Sequence, residues 1–214
     1  MARTRKAPPG VDVRLALLDA AGELLLSEGT EGMTTRRLAS MAGTTTQAIY
    51  TEFGGKEGIA RAMYREGFAR LEERIRADGV TADPFLDLLQ HGRAYRESAL
   101  ERPHFYGVMF GRPIPEFTPD GEDLEASRIV HDLLAEVIER VIATGALVPD
   151  AVADDIAQWL WAVVHGVVSL ELTGAIELDA AMYDEYLRLS LTGFLRESGH
   201  PTVGEAAAQQ QQQQ

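Results

Sequence analysis

Apolar residues in this chain recur three and four positions apart from Leu15 to Leu195, and runs of alternating or β-branched residues are few. That spacing lines one face of a helix and leaves no convincing strand, so the expected fold is all-α. Leu15, Leu18, Ala21, Leu25 and Leu26 form one stripe of a first helix that stops at Ser27-Glu28-Gly29, where glycine accepts the left-handed conformation of a helix end. Thr34 is placed to cap a second short helix bearing Leu38, Ala39 and Met41. Gly43 ends it, and Thr45 caps a third running from Thr46 to about Phe53. Two short helices joined by a tight glycine turn make a helix-turn-helix pattern. The helix that follows, from Lys56 to about Ala77, is apolar at Ile59, Met63, Phe68, Leu71 and Ile75 and has the length of a connector.

Asp78-Gly79 and Asp83-Pro84 mark a joint, after which "PFLDLLQHGRAYRESALE" reads as a helix ended by Pro103. "HFYGVMFG" is a short aromatic helix or turn, residues 116–123 are a loop, and helices are expected at 124–144, 150–173 and 180–197. The organisation is thus a basic arm at 1–10, a helix-turn-helix domain at 11–55, a connecting helix at 56–78 and a second helical domain at 79–199. The tail, 200–214, ends in "EAAAQQQQQQ", which is low-complexity and lacks an apolar face; it is read as disordered or extraneous and is given no function.

A net charge of −13 at first opposes a nucleic-acid partner, because phosphate binding usually leaves a basic footprint. The charge is divided unevenly. Residues 1–78 hold 12 Lys and Arg against 11 Asp and Glu, and the rest hold 8 against 22, so the acid excess lies outside the helix-turn-helix. The 214 residues include no cysteine, which excludes disulfides and thiolate chemistry and agrees with a cytoplasmic setting. The first helix carries Asp19 and Glu23 and is no signal-peptide core. The longest uncharged stretch, Ile156 to Leu170, is shorter than the roughly 20 residues of a membrane span, so a soluble protein without a membrane partner is expected. The five histidines show no metal-ligand spacing, and no nucleophile elbow, phosphate loop or dinucleotide fingerprint appears; neither an enzyme nor a cofactor is expected.

The second helix of a helix-turn-helix lies in the major groove with its first residues at the base edges. Thr45 and Thr46 there offer hydroxyls and free backbone N–H groups to a phosphate, helped by the helix dipole. Gln47 suits a bidentate contact to adenine, and the Thr46 methyl and Ala48 suit a thymine methyl. Ile49 and Phe53 must face inward, while Tyr50 and Thr51 turn toward the DNA backbone. Lys56 reaches a flanking phosphate, Thr34, Thr35 and Arg36 touch the opposite strand, and Arg3, Arg5 and Lys6 form an arm for the minor groove or a solvated tail.

Taken as a set, "MTTRRLASMAGTTTQAIYTEFGGKEGIARAM" resembles the DNA-binding signature of the tetracycline-repressor (TetR) family, over about residues 13–65. The resemblance implies a small helix-turn-helix domain, a larger helical ligand-binding domain, a homodimer, and repression relieved by a small molecule. Two positions depart from the family pattern: Gly55 stands where Ser is usual before the Lys-Glu step, and Gln47 where a small residue is usual. "WAVVHGVVSLEL", with Trp161, His165 and Gly166, resembles the Trp-His-Gly type of C-terminal domain in the same family.

For the effector, Tyr95, Phe105, Tyr106, Met109 and Phe110 are candidates to line an apolar or aromatic cavity, with Trp161 and His165 as further lining; core filling is the alternative. The helix 156–173 is apolar nearly all round, with Trp161, His165, Val168 and Leu172 on one face and Trp159, Val163, Gly166 and Leu170 on another. Such a helix must be covered on all sides. Together with a stripe of Tyr183, Leu187, Leu191, Phe194 and Leu195, the second face is expected to pair with its copy in a four-helix dimer interface, Gly166 and Gly193 allowing close approach. A ligand-responsive activator, or a helical small-molecule carrier that binds no operator, are the competing readings.

Overall fold

The computed structural model describes residues 13–111, 113–148 and 150–195. The basic arm at Arg3, Arg5 and Lys6 and the glutamine tail lie outside the described residues. Nine helices account for most of what is described: α1 (Val13–Gly32), α2 (Thr35–Met41), α3 (Thr46–Phe53), α4 (Lys56–Ala77), α5 (Pro84–Glu101), α6 (Pro103–Gly111), α7 (Gly121–Ala143), α8 (Ala153–Leu172) and α9 (Ala180–Thr192). Leu147 and Leu195 form an isolated antiparallel bridge. Among the described residues no helix is long and apolar enough to cross a membrane.

The described residues fold into two compact units that are not consecutive in sequence: residues 13–77 with 94–130, and residues 78–93 with 131–195. Each of α5 and α7 is therefore divided between the two units.

In the first unit, Leu17, Leu18, Leu24, Met33, Leu38 and Ile49 are buried together with Ile59, Met63 and Phe68 of α4. Helix α1 breaks at Gly29, whose φ of 69° and ψ of −168° only glycine adopts freely. Helix α6 packs on α4 and α1. The His104 ring lies against Gly22, where any Cβ would overlap it, and Arg102 reaches Asp19 at 2.6 Å. Helix α7 begins at Gly121, inside the expected loop, because Asp123 in its first turn is fully buried and held by Arg61 and by Arg65 Nε of α4. The backbone N–H of Asp120 also donates to Asp123.

The second unit is built on Leu134, Ile138, Val141, Leu147, Ile156, Leu160 and Leu191, with Phe85 and Leu88 of α5 packed against them. Asp87, also buried, accepts from Arg140 and from the Thr81 hydroxyl at 2.6 Å. Helix α9 stops at Thr192, short of the expected 197. Phe194 and Leu195 close turns onto Leu191 and Thr192, and the chain then pairs with Leu147 and Val148.

Candidate nucleic-acid interface

Helix α3 has two distinct sides. Thr45 stands before it in extended conformation, and its hydroxyl accepts from the Ala48 N–H at 3.1 Å. Gly43 supplies the left-handed turn ahead of it at φ 65°, and Gly54 at φ 71° ends it. Ile49 is fully buried and Phe53 half-buried, with the Arg14 guanidinium over its ring at 6.0 Å. On the other side Thr46, Gln47, Tyr50 and Thr51 are all exposed, Tyr50 at 54%. The spacing of four between Ile49 and Phe53 fixes this division, since whatever packs on that stripe turns the remaining positions outward.

Helix α2 presents its start on the exposed surface. Thr34 caps it, accepting from the Arg37 N–H at 3.4 Å, a long bond. Thr34 and Arg36 are exposed and Thr35 is half-buried; Leu38 and Ala39 hold the helix down, and Met41 is exposed. Lys56 opens α4, where its ammonium donates to the Thr30 carbonyl at 3.1 Å, tying the end of α1 to the start of α4. Arg37 and Glu28, not singled out from the sequence, form a two-pronged ion pair between α2 and α1. The nine-residue separation follows no helical period, and the break at Gly29 makes the pairing invisible to spacing arguments.

The five aromatic and methionine candidates all fall in the first unit. Tyr95, Phe105 and Tyr106 are buried, Met109 and Phe110 half-buried. Phe110 stands 4.9 Å from Tyr106, 6.3 Å from Tyr95 and 5.8 Å from Phe68 of α4, centroid to centroid, and Met109 lies against Gly67. Trp161 and His165 fall in the second unit, both half-buried, with the His131 ring 5.9 Å from Trp161. Burial lowers the pKa of the His165 imidazole.

Of the residues expected at a dimer interface, Trp159 and Leu170 are exposed, at 53% and 49%, and Val163 and Gly166 are half-buried on the same stripe of α8. On α9 the expectation is corrected. Tyr183 is 1% exposed and donates to the Gly92 carbonyl at 2.8 Å, Leu187 packs on Gly92, Leu191 belongs to the core and Phe194 packs against it. These four serve their own unit because α5 and the 147–148 segment cover that side. The outward stripe is Met182, Tyr186, Leu189 and Gly193. The inward stripe of α8 is likewise Ile156, Leu160, Val164 and Val168, with Trp161 and His165 on its flank.

Two family models match the chain: "Bacterial regulatory proteins, tetR family" over residues 17–63, and "Tetracyclin repressor-like, C-terminal domain" over residues 88–194. The HTH-type transcriptional repressor AcnR of Corynebacterium diphtheriae is 27% identical over 161 residues, 75% of this chain and 82% of its own length. Among solved structures, a Rhodococcus sp. RHA1 protein of unknown function superposes with a TM-score of 0.71 at 24% identity, covering 88% of this chain and 98% of that one. The fatty acid degradation regulator FadR of Bacillus halodurans gives 0.71 at 16%, covering 86% and 97%, and these two likenesses concern the fold.

Proposed function

Since the chain belongs to the TetR family of bacterial regulatory proteins and is a helix-turn-helix transcriptional regulator, we propose that it is a cytoplasmic repressor that binds a pseudo-palindromic operator as a homodimer and is released by a small-molecule effector. The observation that carries this reading is the division of α3. Ile49 is buried without residue while Thr46, Gln47, Tyr50 and Thr51 are exposed together, so the helix is anchored on one side and free to enter a groove on the other. Gln47 reads a base, Thr45 and Thr46 meet a phosphate at the helix start, and Tyr50 and Thr51 contact the backbone. Thr34, Thr35 and Arg36 take the facing strand. Lys56 takes a phosphate once its ammonium exchanges the Thr30 carbonyl for it.

Repression is the sign of output that the name of the Corynebacterium relative supports. The effector enters by the aromatic cluster of α5 and α6, where Tyr95, Phe105, Tyr106, Met109 and Phe110 stand against Phe68 and Gly67 of α4. An apolar or aromatic ligand that prefers one placement of α4 shifts the population of operator-competent dimers, a coupling of typically 1–3 kcal/mol. The dimer forms through Trp159, Val163, Gly166 and Leu170 of α8 and the outward stripe of α9.

Selection of bound duplexes from a random pool tests the reading. Enrichment of two inverted half-sites about one helical turn or a small multiple apart is expected, and loss of that enrichment with an apolar effector. A pool that returns no motif removes the repressor.

A further inference from the structure

The end of α1 carries a carboxylate positioned to compete with DNA. Glu28 is the last residue before the break at Gly29, and both of its oxygens engage the Arg37 guanidinium, one on each terminal nitrogen. Both side chains stay open to solvent, at 46% for Arg37 and 41% for Glu28. Gly32 makes room for this: a Cβ there would overlap the Glu28 side chain. The mutual bond lowers the Glu28 pKa and raises that of Arg37, so at neutral pH the pair is fully charged.

Arg37 lies in the first turn of α2, its N–H on the capping Thr34 and next to exposed Arg36, on the element that meets the sugar-phosphate backbone in a helix-turn-helix. A guanidinium fork fits a phosphate in the same two-pronged way that it fits a carboxylate. We propose that Glu28 occupies the phosphate-binding fork of Arg37 in the free protein and is displaced by a DNA phosphate on docking. Glu28 is then an internal competitor that holds down sequence-independent affinity, leaving discrimination to the residues at the base edges. An exposed ion pair contributes little to folding, which frees it for such a role. The proposal rests on the DNA-binding reading of the α2–α3 face.

The test measures binding of full-length protein to a random-sequence duplex of about 30 base pairs at several salt concentrations, for wild type, Glu28→Gln, Arg37→Ala and the double variant. Glu28→Gln is expected to raise affinity roughly three- to tenfold and to steepen the salt dependence, and Arg37→Ala to flatten it by up to about one phosphate's worth. In the Arg37→Ala background Glu28→Gln is expected to add little, because the competitor then has nothing to release. An equal gain in both backgrounds would mean that Glu28 acts only as a distant negative charge, and no gain in either would mean that it does not compete; each overturns the proposal. Failure of the wild type to bind any duplex would instead overturn the DNA-binding reading. Circular-dichroism melting confirms that the variants are folded.

Discussion

Gln47 and Ile49 stand two positions apart and have opposite duties, one free at the surface and the other wholly enclosed. Because Gln47 bears on nothing inside the protein, Gln47→Ala should leave the melting temperature unchanged and relax preference at one base pair of each half-site, a loss of roughly 1–3 kcal/mol of discrimination seen by repeating the selection. This contrast was legible in the sequence, since the i, i+4 pair Ile49 and Phe53 fixes the orientation of every other residue on a two-turn helix. Buried charge was not. Asp123 finds Arg61 and Arg65, 62 and 58 residues away, and no local pattern marks it. His91 belongs to the same class. It is buried with Nδ1 unpaired in the structure, and burial pushes its imidazole down to about 4 from an ordinary 6.5. The native state therefore resists a proton that the unfolded chain takes up below pH 6.5. Stability is complete above that value, falls as the pH drops toward 4 and levels off below it. About 2 kcal/mol should be lost between pH 7.5 and pH 5, and urea titrations of His91→Asn should lack that part of the slope.

At the scale of elements, the starts of α2 and α3 followed from their capping residues, Thr34 and Thr45, which accept the bond that a cap requires at 3.4 and 3.1 Å. Asp179, not singled out from the sequence, caps α9 in the same way at 2.8 Å. Which way a helix faces was harder to read where it is apolar on several sides. Helix α9 offers Tyr183, Leu187 and Leu191 on one stripe and Met182, Tyr186 and Leu189 on the next, one residue out of phase, and hydrophobicity does not choose between them. The choice is made by Gly92 of α5, which accepts the Tyr183 hydroxyl and receives Leu187 where a larger residue would not fit. Leu189, 54% exposed, is thereby left outward. Leu189→Asp should convert the dimer to monomer in light scattering at micromolar concentration with little change in monomer helicity. Tyr183→Ala should instead lower stability by about 3–5 kcal/mol, as large-to-small changes in a packed core do. A dimer that survives Leu189→Asp would place the interface elsewhere.

For the whole molecule, the sequence suggested two consecutive parts meeting near Asp78-Gly79, and a change in composition does occur there. The compact units are drawn differently, with residues 94–130 belonging with residues 13–77. The cause is the packing of α6 and of the segment that follows it on α4 and α1, where Tyr64 and Phe68 meet Phe117 and Phe110, Gly67 receives Met109, and Gly22 receives His104. Those contacts span 42 to 82 residues of chain, too far for any periodicity to report. The consequence reaches past one protein. A crossover at the Asp78 joint, whether by gene recombination or in a laboratory chimera, would graft a reading head onto a stranger's α6, and glycines 22 and 67 would meet side chains they were not shaped for. Heads inherited intact must carry α6 with them, so the exchangeable piece of such a gene is two separate stretches of code that have to move together.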